Sequence, residues 1–253
     1  MIDIAEVRKF EERAFNAWPA LRTVVIDGWV ARLSNGYTKR ANSVNALGPA
    51  ASADGIVAAA EALYARHELP AIFRLSPLAP APIDAMLDTA GYAMFDPSLV
   101  LTAPIGSAGT VPTVQIDTSP SPAWLDGFAR ANAVESERRA THDAIIAAIA
   151  PPAAFATIHE DGQEDGEGIG FGLAVLERGA VGLFDIIVAP RRRGHGHGRA
   201  LVTALLGWGR LAGADRAYLQ VREANAVARQ LYASLGFAEA YRYHYRVPRP
   251  AAQ

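Results

Sequence analysis

The run Val188-Ala189-Pro190-Arg191-Arg192-Arg193-Gly194-His195-Gly196-His197-Gly198-Arg199-Ala200-Leu201 sets a glycine-rich turn between an apolar strand pattern and an amphipathic helix. Glycines at alternate positions let a backbone approach a ligand closely. The first N–H groups of the helix that follows have no intrahelical acceptors, so they point outward at an anion. The stretch therefore reads as a pyrophosphate cradle for a large phosphorylated cofactor. A nucleotide-triphosphate loop is excluded, because it needs Lys and then Ser or Thr after its last glycine. Here Gly198 is followed by Arg199-Ala200, and the only lysines are Lys9 and Lys39. A dinucleotide fingerprint needs a third glycine or alanine in the sixth place, which Arg199 or Leu201 occupies in the two available frames.

The pattern R-x-x-G-x-G from Arg193 to Gly198 is similar to the acyl-CoA-binding signature of the GNAT superfamily of N-acyltransferases. A second motif, Asn225-Ala226-Val227-Ala228-Arg229-Gln230-Leu231-Tyr232-Ala233-Ser234-Leu235-Gly236-Phe237, resembles the GNAT pattern N-x-x-A-x-x-L-Y-x-x-x-G-F. Asn225 is a good N-cap, Val227, Leu231 and Leu235 recur at helical spacing, and Gly236 suits a left-handed helix end. The two motifs stand in the family's order and spacing. The resemblance implies an α/β fold with a mixed α+β sheet, the GNAT-like acyltransferase fold. It also implies direct transfer of an acyl group, in the first place acetyl, from acetyl-CoA to a primary amine of a small molecule or peptide.

By the same resemblance, the strand through Ile186 and Val188 pairs its backbone with the pantetheine arm. Arg193, Gly194, His195, Gly196, His197, Gly198 and Arg199 hold the pyrophosphate. Asn225 contacts the pantetheine, and Tyr232 stands near the thioester sulfur as a general acid. Asp185, in the strand beside the acyl arm, either binds or deprotonates the amine or is a solvent-facing strand residue. Arg199 and Arg229 either meet the cofactor's phosphates or solvate their helices. His195 and His197 have the spacing of a metal pair, but side chains between cradle glycines point outward, and no metal is expected. The alternating Tyr241, Tyr243 and Tyr245 fit a two-faced strand with no site.

The 253 residues suffice for one large or two small domains with ample core. A net charge of −2 argues against a nucleic-acid partner despite the local arginine run. The absence of cysteine excludes disulfides, a thiolate metal site and a cysteine nucleophile. No apolar run reaches membrane-spanning length and the N-terminus lacks a signal-peptide pattern, so a cytoplasmic protein, monomer or homodimer, is expected without a membrane partner.

A Pro- and Gly-punctuated break near Ala103–Pro112 divides the chain into residues 1–103, a linker at 104–112 and a catalytic domain at 113–253. In the latter, strands are expected near Thr113–Ile116, Ala154–His159, Ile169–Leu176, Val181–Val188, Ala217–Val221 and Phe237–Val247. Helices are expected near Ala123–Asn132 and Thr141–Ile149. A hairpin loop is expected at Glu160–Gly168. The helix opening at Gly198 should bury Leu201, Leu205, Trp208 and Ala212.

The first hundred residues echo this order: strand Ile72–Leu75, helix Ile83–Ala90, then Gly91-Tyr92. They read as a degenerate, non-catalytic GNAT-like half. The segment Gly48–Gly55 lacks the arginine and the alternating glycines, and Leu87 stands where the other copy has Tyr232. Asn35-Gly36 marks a hairpin, beyond which Asn42 and Ser43 either line a substrate cleft or cap strand ends and turns. Two rival functions remain: a sensor that binds acyl-CoA without transfer, and an acetyltransferase acting on a nucleic-acid-associated substrate.

Overall fold

The structure, a computed structural model, describes residues 3–106, 111–160 and 166–249. Residues 107–110 of the expected linker and 161–165 of the expected hairpin loop lie outside them. Two compact units divide the chain. The first takes the residues up to Val100 together with Val221–Ala226 and those from Glu239 on, and the second takes Leu101–Gln220 and Val227–Ala238.

The first unit opens with α1 (Ile4–Ala17), whose Asp3 side chain caps Ala5 N at 2.9 Å. The antiparallel strands β1 (Arg22–Ile26), β2 (Trp29–Leu33) and β3 (Val44–Ala46) follow. Helix α2 (Ile56–Ala65) then crosses to β4 (Phe73–Leu75), which pairs parallel to β3 through Val44↔Phe73. After α3 (Ile83–Thr89) comes β5 (Tyr92–Pro104). The C-terminal strand β11 (Ala238–Pro248) pairs antiparallel to β4, with His244 opposite Leu75. Trp29, Phe73, Tyr92, Tyr64, Ile83 and Leu87 meet in one core, with Phe73 edge-on to both Trp29 and Tyr92.

The second unit runs β6 (Gln115–Asp117), α4 (Pro122–Ala131), α5 (Ser136–Ala147), then the antiparallel β7 (Ala153–His159), β8 (Gly168–Glu177) and β9 (Ala180–Val188). Helix α6 (His197–Leu211) crosses to β10 (Arg216–Arg222), parallel to β9, and α7 (Ala226–Ser234) follows. Ser121 caps α4 by accepting from Trp124 N at 3.0 Å. That tryptophan packs edge-on against Phe155 and Phe171 and donates its indole N–H to Ala156 O.

Glycines set how closely α6 lies on its sheet. Gly170 and Gly172 leave room for Leu201 and Leu205, and a Cβ on Gly209 would sit 2.9 Å from Val181. The buried face of α6 is therefore Leu201, Val202, Ala204, Leu205, Gly207 and Gly209, which includes Leu201 and Leu205 as expected. Of the other two expected residues, Trp208 is half-buried and Ala212 is exposed past the helix end. Three other expectations shift. Helix α5 begins at Ser136 rather than Thr141, and β6 begins at Gln115. Pro104, read as linker, ends β5, and Ile105 N–H donates to Asp215 O at 2.8 Å.

Both units repeat an antiparallel run that ends in a parallel pair bridged by a helix, β3-α2-β4 and β9-α6-β10. Each bridging helix starts after a left-handed glycine, Gly55 (φ 73°) and Gly196 (φ 85°).

Candidate functional site

In the second unit the glycine motif follows the C-terminal end of β9, and Leu231 of the second motif lies beside Gly198, while Asn225 belongs to the first unit. The parallel ladder with β10 is registered from Ala180 to Leu183. Strand β9 continues to Val188 beyond it, and among the described residues the edge from Asp185 to Val188, which includes Ile186, has no strand partner on that side. On its other edge β9 pairs with β8 through a bulge in which Asp185 and Ile186 together oppose Gly172. Asp185 takes the left-handed conformation there (φ 49°). Such strain in a non-glycine residue re-aims a side chain and recurs at functional sites.

The chain leaves β9 through a short helical turn, Pro190–Arg192. Arg193 Nε donates to Val188 O at 3.1 Å. Gly194 and Gly196 have φ of 84° and 85°, which an L side chain adopts only under strain. Helix α6 starts directly after Gly196 with no side-chain cap, so its first backbone N–H groups face outward at the positive end of the helix dipole. The donor set fits a polyanion. His195 Nδ1 donates to Arg193 O at 2.9 Å, and the His195 and His197 rings lie 6.2 Å apart. A cavity of about 470 Å³ borders the loop, lined by Ile158, Ile169, Arg192, His195 and His197. Among the described residues no group of three His, Cys, Asp or Glu is placed to hold a metal ion.

Gly198 differs from the two glycines before it in its backbone. It sits inside the first turn of α6 without positive φ, and a Cβ there would touch Leu231 Cδ2 at 3.4 Å. It thus marks where α6 meets α7, and Arg199 reinforces that junction by reaching Ser234 Oγ at 2.5 Å. Asn225 immediately precedes α7, as an N-cap should, and Arg229 is exposed on that helix. The inward residue of α7 is Tyr232, whereas Val227, expected on the apolar face, is exposed. Tyr232 lies against Phe237 beyond the left-handed Gly236. Burial pushes its phenol up to about 12. Its hydroxyl has no hydrogen-bond partner among the described residues.

Asn42 and Ser43 do not line an open cleft. Both are buried in the first unit. Asn42 Oδ1 accepts from Ser34 N and Gly36 N, and its Nδ2 donates to Thr38 O, so the side chain braces the hairpin turn. Ser43 Oγ and carbonyl both accept from Asn45 Nδ2.

The sequence reading missed His142. This residue of α5 is fully buried, stacked on Phe128, and within hydrogen-bond distance of Asp185. Its local signal was a histidine on the face of α5 that also carries Ile145 and Ile146, which ordinarily reads as core.

A family profile described as "Probable histone acetyltransferase Rv0428c C-terminal" matches residues 4–246. The chain is 30% identical over 250 residues to "Uncharacterized N-acetyltransferase YobR" of Bacillus subtilis (strain 168), covering 96% of this chain and 99% of that protein. In fold it is similar to a GCN5-related N-acetyltransferase from Kribbella flavida, at 14% identity and a TM-score of 0.68 over 99% and 97% of the two chains. A GCN5-related N-acetyltransferase from Sphaerobacter thermophilus gives 15% identity and a TM-score of 0.56 over 96% and 87%. With two ordered motifs on the matching fold and a family match over nearly the whole chain, the protein belongs to the GNAT family of N-acetyltransferases.

Proposed function

We propose that this chain transfers an acetyl group from acetyl-CoA to a primary amine of a small molecule or peptide. The observation that carries the reading is the β9 edge at Asp185–Val188, beyond the ladder with β10, running into an uncapped helix N-terminus. Extended amide groups pair with such an edge, and phosphates with such a terminus. Bound there, acetyl-CoA supplies an activated thioester carbonyl.

The chain's own residues do the rest. The Ile186 and Val188 backbone orients the acyl arm, and the N–H groups from Gly194 to Arg199, with Arg193 and Arg229, neutralise phosphate charge. Asn225 steadies the pantetheine. Asp185 takes the proton of the attacking amine as the C–N bond forms, and Tyr232 gives its proton to the sulfur as the C–S bond breaks. Asp185 then gives its proton to solvent, and solvent reprotonates Tyr232. Holding both reactants in line supplies most of the acceleration. Residues 1–103, which lack counterparts of Arg193 and Tyr232, serve as a degenerate, non-catalytic half.

The test is release of coenzyme A thiol, read with a thiol-reactive dye, across a panel of spermidine, kanamycin, free amino acids and lysine-bearing histone peptides. Turnover with a subset of the amines is expected. Tight acetyl-CoA binding without thiol release for any amine would make the protein a sensor instead.

A further inference from the structure

Helix α5 directs at the β9 bulge a side chain that the reaction above does not use. The His142 ring lies flat on Phe128, centroids 4.7 Å apart and planes 10° from parallel. Its Nε2 is 3.3 Å from Asp185 Oδ2, and its Nδ1 is 3.1 Å from Asp143 Oδ1. Carboxylates only accept hydrogen bonds, and a neutral imidazole has one N–H to give. A neutral ring would leave lone pair facing lone pair at one of the two contacts. An imidazolium satisfies both.

The far side of this pair is anchored. Arg139 Nε donates to both oxygens of Asp143, at 2.9 and 2.8 Å, and its other end reaches Asp126 on α4 at 2.8 Å. Asp185, by contrast, has His142 as its only hydrogen-bond partner among the described residues. A carboxylate on a left-handed bulge residue is thus gripped through one oxygen while the other is left without a protein donor.

We infer that His142 is a positioning residue for acetyl transfer: anchored through Asp143, its imidazolium holds the Asp185 carboxylate by Oδ2 and presents the remaining oxygen to the attacking amine. This rests on the reading of Asp185 as proton acceptor. The charges facing the ring are Asp185 from β9 and Asp143 from α5, with Arg139 behind Asp143 and Asp126 of α4 behind Arg139, while the α4 residue stacked on the ring is the uncharged Phe128. Burial works against the charged ring, and the hydrogen bonds and charges of Asp185 and Asp143 outweigh it, raising the His142 pKa.

The experiment uses the full chain, with the fastest amine of the panel as probe and NMR of ¹⁵N-labelled histidine as a second readout. His142→Phe keeps the stacked ring and removes both nitrogens. It should leave KM for acetyl-CoA unchanged, lower kcat about tenfold or more, and add no further loss to Asp185→Asn. His142→Gln, which retains one donor, should recover part of the rate. In the wild type both ring nitrogens should stay protonated above the ordinary histidine pKa, and Asp185→Asn should lower that pKa. Wild-type kcat in His142→Phe beside an inactive Asp185→Asn would overturn the clamp and spare the base. Wild-type kcat in Asp185→Asn, or no amine turned over at all, would overturn the base and the clamp with it. Should His142→Phe fail to fold, a neutral His142 ring at neutral pH, or full kcat in His142→Gln, overturns the clamp.

Discussion

Arg193 Nε donates to the carbonyl of Val188 at 3.1 Å, so the arginine that opens the glycine motif is folded back onto the last residue of β9 and closes the turn between them. The turn holds its shape through that bond and through two left-handed glycines, Gly194 and Gly196.

A side chain at Gly196 meets nothing within 4 Å, so its cost is conformational rather than steric. The left-handed region costs an L residue about 1–2 kcal/mol. Gly196→Ala should therefore weaken coenzyme A binding about 5- to 30-fold by calorimetry. Gly198→Ala has ordinary backbone geometry and an ordinary contact to Leu231, and should leave the thermal midpoint in place or raise it. Unchanged affinity in folded Gly196→Ala would detach the loop from the cofactor.

Tyr232 is buried, its hydroxyl has no protein partner among the described residues, and its pKa is pushed up to about 12 by that burial. The phenol stays protonated through the neutral and mildly alkaline range and is ready to donate there. Tyr232→Phe breaks no hydrogen bond of the fold, so stability and acetyl-CoA affinity should hold while turnover falls roughly 10²-fold. Stopped-flow binding and steady-state kinetics separate the two. A loss of affinity with turnover intact would make the residue a packing contact.

In the first unit, Glu11 on α1 accepts both terminal nitrogens of Arg74 on β4 and the hydroxyl of Tyr241 on β11, the latter at 2.6 Å. The Arg74 guanidinium lies 3.7 Å from the centre of the Tyr243 ring. Glu11→Ala would strand a buried guanidinium, which costs about 3–5 kcal/mol. A large fall in the urea midpoint is expected, and Glu11→Gln, which still accepts from Tyr241, should fall less. Equal midpoints for Glu11→Ala and the wild type would show that the pair does not hold α1 to its sheet.

What was legible beforehand was local chemistry. A left-handed glycine ends α7 at Gly236, a glycine turn feeds α6, and short apolar runs mark β7 through β9, because turns, caps and apolar runs are written within a few residues of where they act. Pairings across the chain were not. His142 and Asp185 lie 43 positions apart, and a histidine among isoleucines gives no hint of two carboxylates. The exposure of Val227 depends on which face of α7 turns inward, and helical spacing alone leaves that open when Ala228, Leu231 and Tyr232 offer a neighbouring stripe. For Asn42 the sequence left a cleft residue and a turn-bracing residue both open. Its role became visible only with the hairpin backbone that it braces.

The paired imidazole also sets a pH dependence of stability whose sign follows from its shift. The pKa of His142 is raised above the ordinary 6.5, because the bonds and charges from Asp185 and Asp143 outweigh burial. The folded state thus holds a proton that the unfolded chain releases near 6.5. By linkage, the stabilisation is fully present below that value and is lost as pH rises through the higher folded-state pKa. The thermal midpoint of the wild type should therefore decline across the interval above 6.5, and the wild-type minus His142→Gln difference should carry that decline, since other groups titrate alike in both proteins. Midpoints measured in steps from mildly acidic to alkaline buffer provide the curve. A difference that grows with pH instead would mean that His142 is buried neutral, with one of its two carboxylates carrying the proton.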